Sequence, residues 1–186
     1  GINNTVAVGD SALKALTTGA KNVAVGFEAG KAVVNAANGV YIGYQAGLAN
    51  ASGSNCTIVG ALAGGTATDL DQVTLIGKSA GAAINANGGD GTTAVGYLAL
   101  TALTSGSGNT AIGYQAGLLN TTGASNTYIG YAVADATHID STGNVAIGKN
   151  AFGGSHSGSS SNYNTAVGEG SMATGIMNAS ANNTAL

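Results

Sequence analysis

A repeat of about 17 residues constrains this chain more than any other feature of its sequence. A β-branched residue, a variable residue, Val or Ile, and then Gly recur ten times. We call the ten glycines anchor glycines: Gly9, Gly26, Gly43, Gly60, Gly77, Gly96, Gly113, Gly130, Gly148 and Gly168. Their successive spacings are 17, 17, 17, 17, 19, 17, 17, 18 and 20 residues. Such a period predicts stacked units that bury their apolar side chains against one another.

Each period contains the parts of one β-coil. A short strand precedes the anchor glycine, and Ala stands three residues after it in eight coils. Ten residues after it comes Gly in five coils (Gly19, Gly53, Gly106, Gly123 and Gly158) and Asn87, Asp140 or Asn178 in three others, and we expect a left-handed backbone there. The return loop often closes on Asn, at positions 22, 109, 126, 144 and 164. The sequence therefore predicts an all-β, parallel β-solenoid of about ten coils, roughly 43 Å long at the usual strand spacing.

Residues 1–186 form a single repeat domain in this interpretation. The chain has 32 Gly, no Pro and 7% charged residues, with 44% hydrophobic residues that are mostly small, so it can fold around a thin core. Asn183-Thr184-Ala185-Leu186 begins another period, so we expect the chain to be a segment of a longer protein. The long periods place their extra residues in return loops, at 85–91, 136–142 and 153–162.

Both faces of each short strand are apolar, which predicts self-association. The residues one and three before the anchor glycine are Val, Ile or Thr in every coil, and we expect them to face the interior. The middle residue is uncharged in all ten coils, and we expect this face to be covered by another chain. The predicted subunit interface is Ala7, Ala24, Tyr41, Ile58, Leu75, Ala94, Ala111, Tyr128, Ala146 and Ala166.

The residue after each anchor glycine is expected to point outward and to form a ladder of stacked aromatics. Tyr44, Tyr97, Tyr114 and Tyr131 are the candidates for contact with a receptor or glycan. The alternative, which we favour, is that neighbouring rings stabilise one another and the sheet.

The motif Asn-Thr-Ala-Ile-Gly-Tyr-Gln-Ala-Gly at 109–117 resembles the YadA-like head repeats of trimeric autotransporter adhesins. Those repeats are nearer 14 residues, and the longer coils here, with Asn-Thr-Thr-Gly at 120–123, look more like repeats of bacteriophage tail fibres and related virion appendages. The resemblance implies a left-handed β-roll, a homotrimer and a role in attachment.

Candidate chemistry is sparse. Gly77-Lys78-Ser79 lacks the first glycine of a phosphate-binding loop, because Gln72 stands there. His138 and His156 lie in enlarged loops without a second ligand at metal spacing, Gly88-Gly89-Asp90-Gly91 echoes a calcium-binding repeat only once, and Cys56 has no nearby histidine to activate it. We therefore expect no cofactor and no metal.

An enzyme carried on the solenoid is the main alternative in another class. Glycan cleavage needs two carboxyl groups about 5 to 10 Å apart, and the close sets here, Asp69 with Asp71 and Asp135 with Asp140, each lie in the loop of one coil. We expect no enzymatic activity. Ice binding is a further alternative for a Thr-rich solenoid, and the expected inward direction of Thr57, Thr74, Thr93, Thr110 and Thr127 argues against it.

The sequence thus predicts the structural and adhesive shaft of an extracellular attachment fibre, on a virion or on a bacterial surface. Expected partners are two further copies of the chain and a host-cell glycan or protein. The chain has five scattered Lys, no Arg and a net charge of -3, so we expect no nucleic-acid partner. No apolar run reaches the length of about 20 residues that a membrane helix needs, so we expect no membrane insertion.

Overall fold

A computed structural model describes residues 4–85, 88–136, 140–154, 160–173 and 181–186. These residues form eleven short β-strands and contain no helix. The strands are β1 Val6–Val8, β2 Val23–Val25, β3 Val40–Ile42, β4 Thr57–Val59, β5 Thr74–Ile76, β6 Thr93–Val95, β7 Thr110–Ile112, β8 Thr127–Ile129, β9 Val145–Ile147, β10 Thr165–Val167 and β11 Thr184–Ala185.

All eleven strands belong to one parallel sheet in which every strand pairs with its neighbours in sequence. The register is constant, so that equivalent residues of successive coils face each other, as Ala94 faces Ala111 and Ala111 faces Tyr128. The longer periods between β5 and β6 and between β9 and β10 do not shift this register. The predicted β-solenoid of about ten coils is confirmed.

The anchor glycine is required both by its backbone angle and by the neighbouring coil. Gly113 has a φ of 140°, and a Cβ atom there would lie 2.1 Å from the carbonyl oxygen of Gly130. The corner then continues through two left-handed residues, such as Gln115 with a φ of 54° and Gly117 with a φ of 63°. Any side chain at the anchor position would push the coils apart, which explains why glycine recurs there in every coil.

The expectation of a left-handed backbone ten residues after the anchor is wrong. Gly19, Gly53, Gly106 and Gly123 all lie outside the positive-φ region, whereas Asn87, Gly158 and Asn178 lie outside the described residues. Glycine is needed there for space, because a Cβ on Gly53 would lie 1.8 Å from the carbonyl oxygen of Leu70 in the next coil. The left-handed residues lie two positions further on, as at Asn38 and Asn55.

The expected direction of the strand side chains is also wrong. The middle residue of each strand from β2 to β10 is fully buried inside the coil. The third residue faces outward and is 37–40% exposed at Val25, Ile42, Ile76, Ile112 and Ile147. Of the predicted interface set, only Ala7, at one end of the described coils, is exposed.

The narrow interior explains this arrangement. The middle strand residue packs against the residue four positions after the anchor glycine, and in eight of the ten coils a large residue at one of these positions occurs with a small residue at the other. The ring of Tyr41 lies against Gly30 and Gly47, where a Cβ would approach it to 3.1 Å and 2.4 Å. Where the strand carries Ala94 or Ala146, the position after the corner holds Leu100 or Phe152, and both of these are buried. Two coils are small at both positions, and large side chains of the neighbouring coils lie against their glycines: Leu13 and Tyr41 at Gly30, and Leu100 and Tyr128 at Gly117. Large side chains therefore fill the interior without a large residue in every coil.

Buried asparagines connect the coils on the side where the return loop enters the strand. The series Asn109, Asn126, Asn144, Asn164 and Asn183 forms a continuous row in which each side-chain oxygen accepts the backbone N–H of the next asparagine. The side-chain amides of Asn126 and Asn144 also donate to the carbonyls of Ser141 and Ser161. The row replaces apolar packing where backbone polar groups point into the core.

Candidate interaction surface

The most extended outer feature is a strip of apolar side chains, one per coil, contributed by the residue before each anchor glycine. We call it the apolar strip: Val8, Val25, Ile42, Val59, Ile76, Val95, Ile112, Ile129, Ile147 and Val167. Its members are exposed or half-buried, and none carries a charge. Such a strip amounts to several hundred Å² of exposed apolar area, the scale at which surface patches mark interaction sites.

A second column runs beside the apolar strip at the first strand position. It consists of Val6, Val23, Val40, Thr57, Thr74, Thr93, Thr110, Thr127, Val145 and Thr165. From β2 onward these side chains are half-buried on the outer face of the sheet. The two columns form an uncharged outer surface. The Thr side chains therefore do not point inward, and the expected direction that argued against ice binding is wrong.

The aromatic ladder follows the strip on the other side of the anchor glycines, and its predicted outward position is confirmed. Tyr44, Tyr97, Tyr114 and Tyr131 are 51%, 41%, 41% and 55% exposed. Phe27 stacks on Tyr44 with ring centroids 5.6 Å apart. Tyr114 stacks between Tyr97 and Tyr131 at 5.4 Å and 4.9 Å, with interplanar angles of 16° and 8°.

This stacking limits what the ladder can bind. Both faces of the Tyr114 ring are covered by its neighbours, so the ring presents its edge and hydroxyl to solvent. A sugar ring stacks on an aromatic face and not on its edge. Within the Tyr97–Tyr131 stack the rings therefore stabilise one another, as the favoured alternative predicts, and a free face remains only at the ends of a stack.

Lysines interrupt the same column. The Lys78 ammonium lies 5.9 Å from the centroid of the Tyr97 ring, a cation–π distance. Lys149 pairs with Glu169 at 2.9 Å, and this hydrogen bond raises the pKa of Lys149. The column thus carries one lysine paired with an acid and one placed over a ring.

The loop carboxylates accept hydrogen bonds from neighbouring coils. The Asp71 carboxylate accepts the backbone N–H of Ser54 at 3.1 Å, and the Asp90 carboxylate accepts that of Asp71 at 3.1 Å. Asp69 accepts the Ser52 hydroxyl at 2.9 Å. Asp140 accepts the Ser160 hydroxyl of the following coil. Each of these carboxylates therefore has a structural hydrogen bond.

The remaining single candidates are structural or lie outside the described residues. Cys56 is fully buried and its thiol donates to the Leu70 carbonyl at 2.8 Å; burial raises its pKa to about 11. Its thiolate, the reactive form, is therefore scarce at neutral pH. Gly77 is an anchor glycine of the solenoid, with a φ of 130°. His138 and His156 lie outside the described residues.

An open groove of about 640 Å³ lies on another side of the first coils, lined by residues that include Lys14, Glu28 and Lys31. Lys31 bonds Glu28 at 2.6 Å, and this bond, with one from Gln45, lowers the pKa of Glu28. The groove therefore offers a neutralised ion pair. Among the described residues, no cluster of three His, Cys, Asp or Glu could hold a metal ion.

No described segment forms a helix with the length and apolarity needed to cross a bilayer. Comparison with known proteins gives no further identification: no family model, no curated protein and no solved structure matches the chain.

Proposed function

We propose that this chain is the structural and adhesive shaft of a homotrimeric attachment fibre. The observation that carries the proposal is the apolar strip, which runs uncharged along all ten coils. A monomer would leave this surface in water, whereas a second copy offers a strip with the same spacing between rows. Two such strips can pack side by side over their whole length, because their periods are identical.

Three-fold symmetry and the setting of the fibre rest on the sequence resemblance. The longer coils with Gly-Tyr-Gln-Ala favour a bacteriophage tail fibre or another virion appendage, and the head of a bacterial trimeric adhesin is the second candidate. In either setting the segment lies outside the cell and acts as a spacer and display surface. Its host partner is a surface glycan or protein, contacted by the outer column or the enlarged loops.

The hydrogen bonds of the loop carboxylates give little support to an enzymatic role. The loop carboxylates Asp69, Asp71 and Asp140 each accept a hydrogen bond from a neighbouring coil, which suits coil-to-coil bonding better than acid and base chemistry. Ten near-equivalent coils also suit stiffness and repeated weak contacts. We therefore propose that the chain has no catalytic activity.

Ice binding is the second candidate function, and the outer position and regular register of the uncharged Thr/Val column and apolar strip favour it. The two functions make opposite demands on this surface. An ice-binding face must stay exposed to water, whereas a fibre buries it between subunits. The oligomeric state in solution therefore separates them.

The test is the molar mass of the purified chain by light scattering, compared with that of the double variant Ile112→Lys/Ile147→Lys. We expect a trimer for the unmodified chain and a monomer for the double variant, because a lysine in a subunit interface buries an unpaired charge. Leu119→Lys is the matched control, since Leu119 is 47% exposed but belongs to the turn after the anchor glycine and not to the strip. A monomeric unmodified chain that slows ice growth would support ice binding and refute the fibre.

A further inference from the structure

The aromatic ladder has a gap at Ala61. Backbone hydrogen bonds hold the outer column in register here, because Leu62 donates to the Tyr44 carbonyl and Ser79 donates to the Ala61 carbonyl, both at 2.9 Å. Ala61 therefore lies directly between Tyr44 and Lys78. A methyl group occupies a position that holds an aromatic ring in five other coils.

One wall of this gap is a free aromatic face. Phe27 covers one side of the Tyr44 ring at a centroid distance of 5.6 Å and an angle of 10°. The other side of the ring is turned toward the Ala61 position, where no side chain reaches beyond Cβ. Tyr44 is 51% exposed, which is consistent with an uncovered face.

The other wall carries a positive charge. Lys78 lies one coil beyond Ala61, and its ammonium lies 5.9 Å from the Tyr97 centroid. Among the residues that the structure describes, no carboxylate forms an ion pair with Lys78. Lys149, at the equivalent position four anchor glycines later along the chain, bonds Glu169 instead.

The gap has the height of one ladder position. Stacked rings in this column are 4.9 to 5.6 Å apart, and the usual spacing of coils is about 4.8 Å. One flat ring placed over Ala61 would stack on Tyr44 and would bring a substituent on its far side to Lys78. Two rings would not fit at this spacing.

We propose that the gap at Ala61 binds one carboxylated sugar ring of an acidic surface polysaccharide. The apolar face of the pyranose stacks on Tyr44, and its carboxylate pairs with the Lys78 ammonium. The inference rests on the proposed adhesive function and names the class of glycan and the place where it binds. The site differs from the Tyr97–Tyr131 stack, because both faces of the Tyr114 ring are covered and cannot stack on a sugar.

The test is calorimetric titration of the full chain with an oligogalacturonate, and with an uncharged oligoglucoside of similar length. Ala61→Tyr fills the gap with the residue found at this position in four other coils, so the fold should be retained. We expect it to reduce affinity for the oligogalacturonate at least about tenfold, which is a loss of about 1.4 kcal/mol. Lys78→Gln should reduce affinity about as much and should weaken its dependence on salt.

Lys149→Gln is the matched control, because it removes a lysine of the same column that already has an acidic partner; we expect unchanged affinity. The proposal is refuted if the unmodified chain does not bind the oligogalacturonate, if Ala61→Tyr binds it equally well, or if the uncharged oligomer binds as tightly. Molar mass is measured on the same samples. A monomer that binds at Ala61 would refute the fibre and support this site. A trimer that does not bind the oligogalacturonate would support the fibre and refute this site.

Discussion

Asn126→Ala should destabilise the solenoid far more than its small change in volume suggests. The Asn126 amide donates to the Ser141 carbonyl at 2.8 Å and to the side-chain oxygen of Asn109 at 3.0 Å. Its own side-chain oxygen accepts the backbone N–H of Asn144 at 2.9 Å. Alanine leaves the Ser141 carbonyl and the Asn144 N–H without these bonds in a buried region.

Each buried polar group that loses its bond costs about 1–3 kcal/mol, so the two together should lower the free energy of unfolding by about 2–6 kcal/mol. Urea unfolding followed by circular dichroism measures this loss, and hydrogen exchange at the Asn144 amide shows whether the opening is local. Asn35→Ala is the control, because Asn35 is exposed, and it should change stability by less than about 0.5 kcal/mol. Equal effects of the two substitutions would refute the structural role of the asparagine row.

Three further predictions concern the interior. Gly47→Ala should destabilise the fold by about 1–3 kcal/mol in thermal or urea unfolding, because its Cβ would lie 2.4 Å from the Tyr41 ring at a φ of 58°. Thr92→Val should leave stability unchanged or raise it by about 1 kcal/mol, since the buried Thr92 hydroxyl has no hydrogen-bond partner among the described residues. The Cys56 thiol should react with a thiol reagent at pH 8 only after unfolding. Burial raises the pKa of this thiol to about 11, from about 8.5 in an exposed thiol. The contribution of the protonated thiol to the free energy of unfolding should therefore be fully present below pH about 8.5 and should be lost as the pH rises toward 11.

The repeat period predicted the fold because stacking is the only way for units this short to bury their apolar residues. Regular spacing of the anchor glycines also predicted the register, and the structure shows why: any side chain at Gly113 would collide with the backbone of Gly130. The predicted outward position of the aromatic ladder is confirmed although the expected direction of the strand faces is wrong.

The direction of the strand faces could not be predicted from alternation, because both faces of each strand are apolar and have the same period. A different signal was present in the sequence. Tyr41 and Leu75 occur in coils that have a glycine, Gly47 or Gly81, four residues after the anchor glycine. Ala94 occurs in a coil that has Leu100 at that position. Such compensation in size indicates that the two positions pack against each other inside the coil, as the structure shows.

Two features of the candidate surface required coordinates. The sequence shows Tyr97, Tyr114 and Tyr131 in consecutive coils, but only ring angles and distances reveal that their faces cover one another. The gap at Ala61 has significance only once its neighbours Tyr44 and Lys78 are known to lie in register on an exposed column.

The most direct test of the central claim is a disulfide across the apolar strip. Cys56→Ser removes the native thiol and keeps a donor for the Leu70 carbonyl, and Ile112→Cys then places one cysteine on the strip of each subunit. Mild oxidation of the purified protein, followed by non-reducing gel electrophoresis, reports whether the strips of two copies meet. The fibre predicts a covalent dimer whose yield does not change on dilution, with no such product from Leu119→Cys in the same background. A chain that is oligomeric yet cross-links at 119 and not at 112, or that forms no cross-link because it is monomeric, would contradict the account.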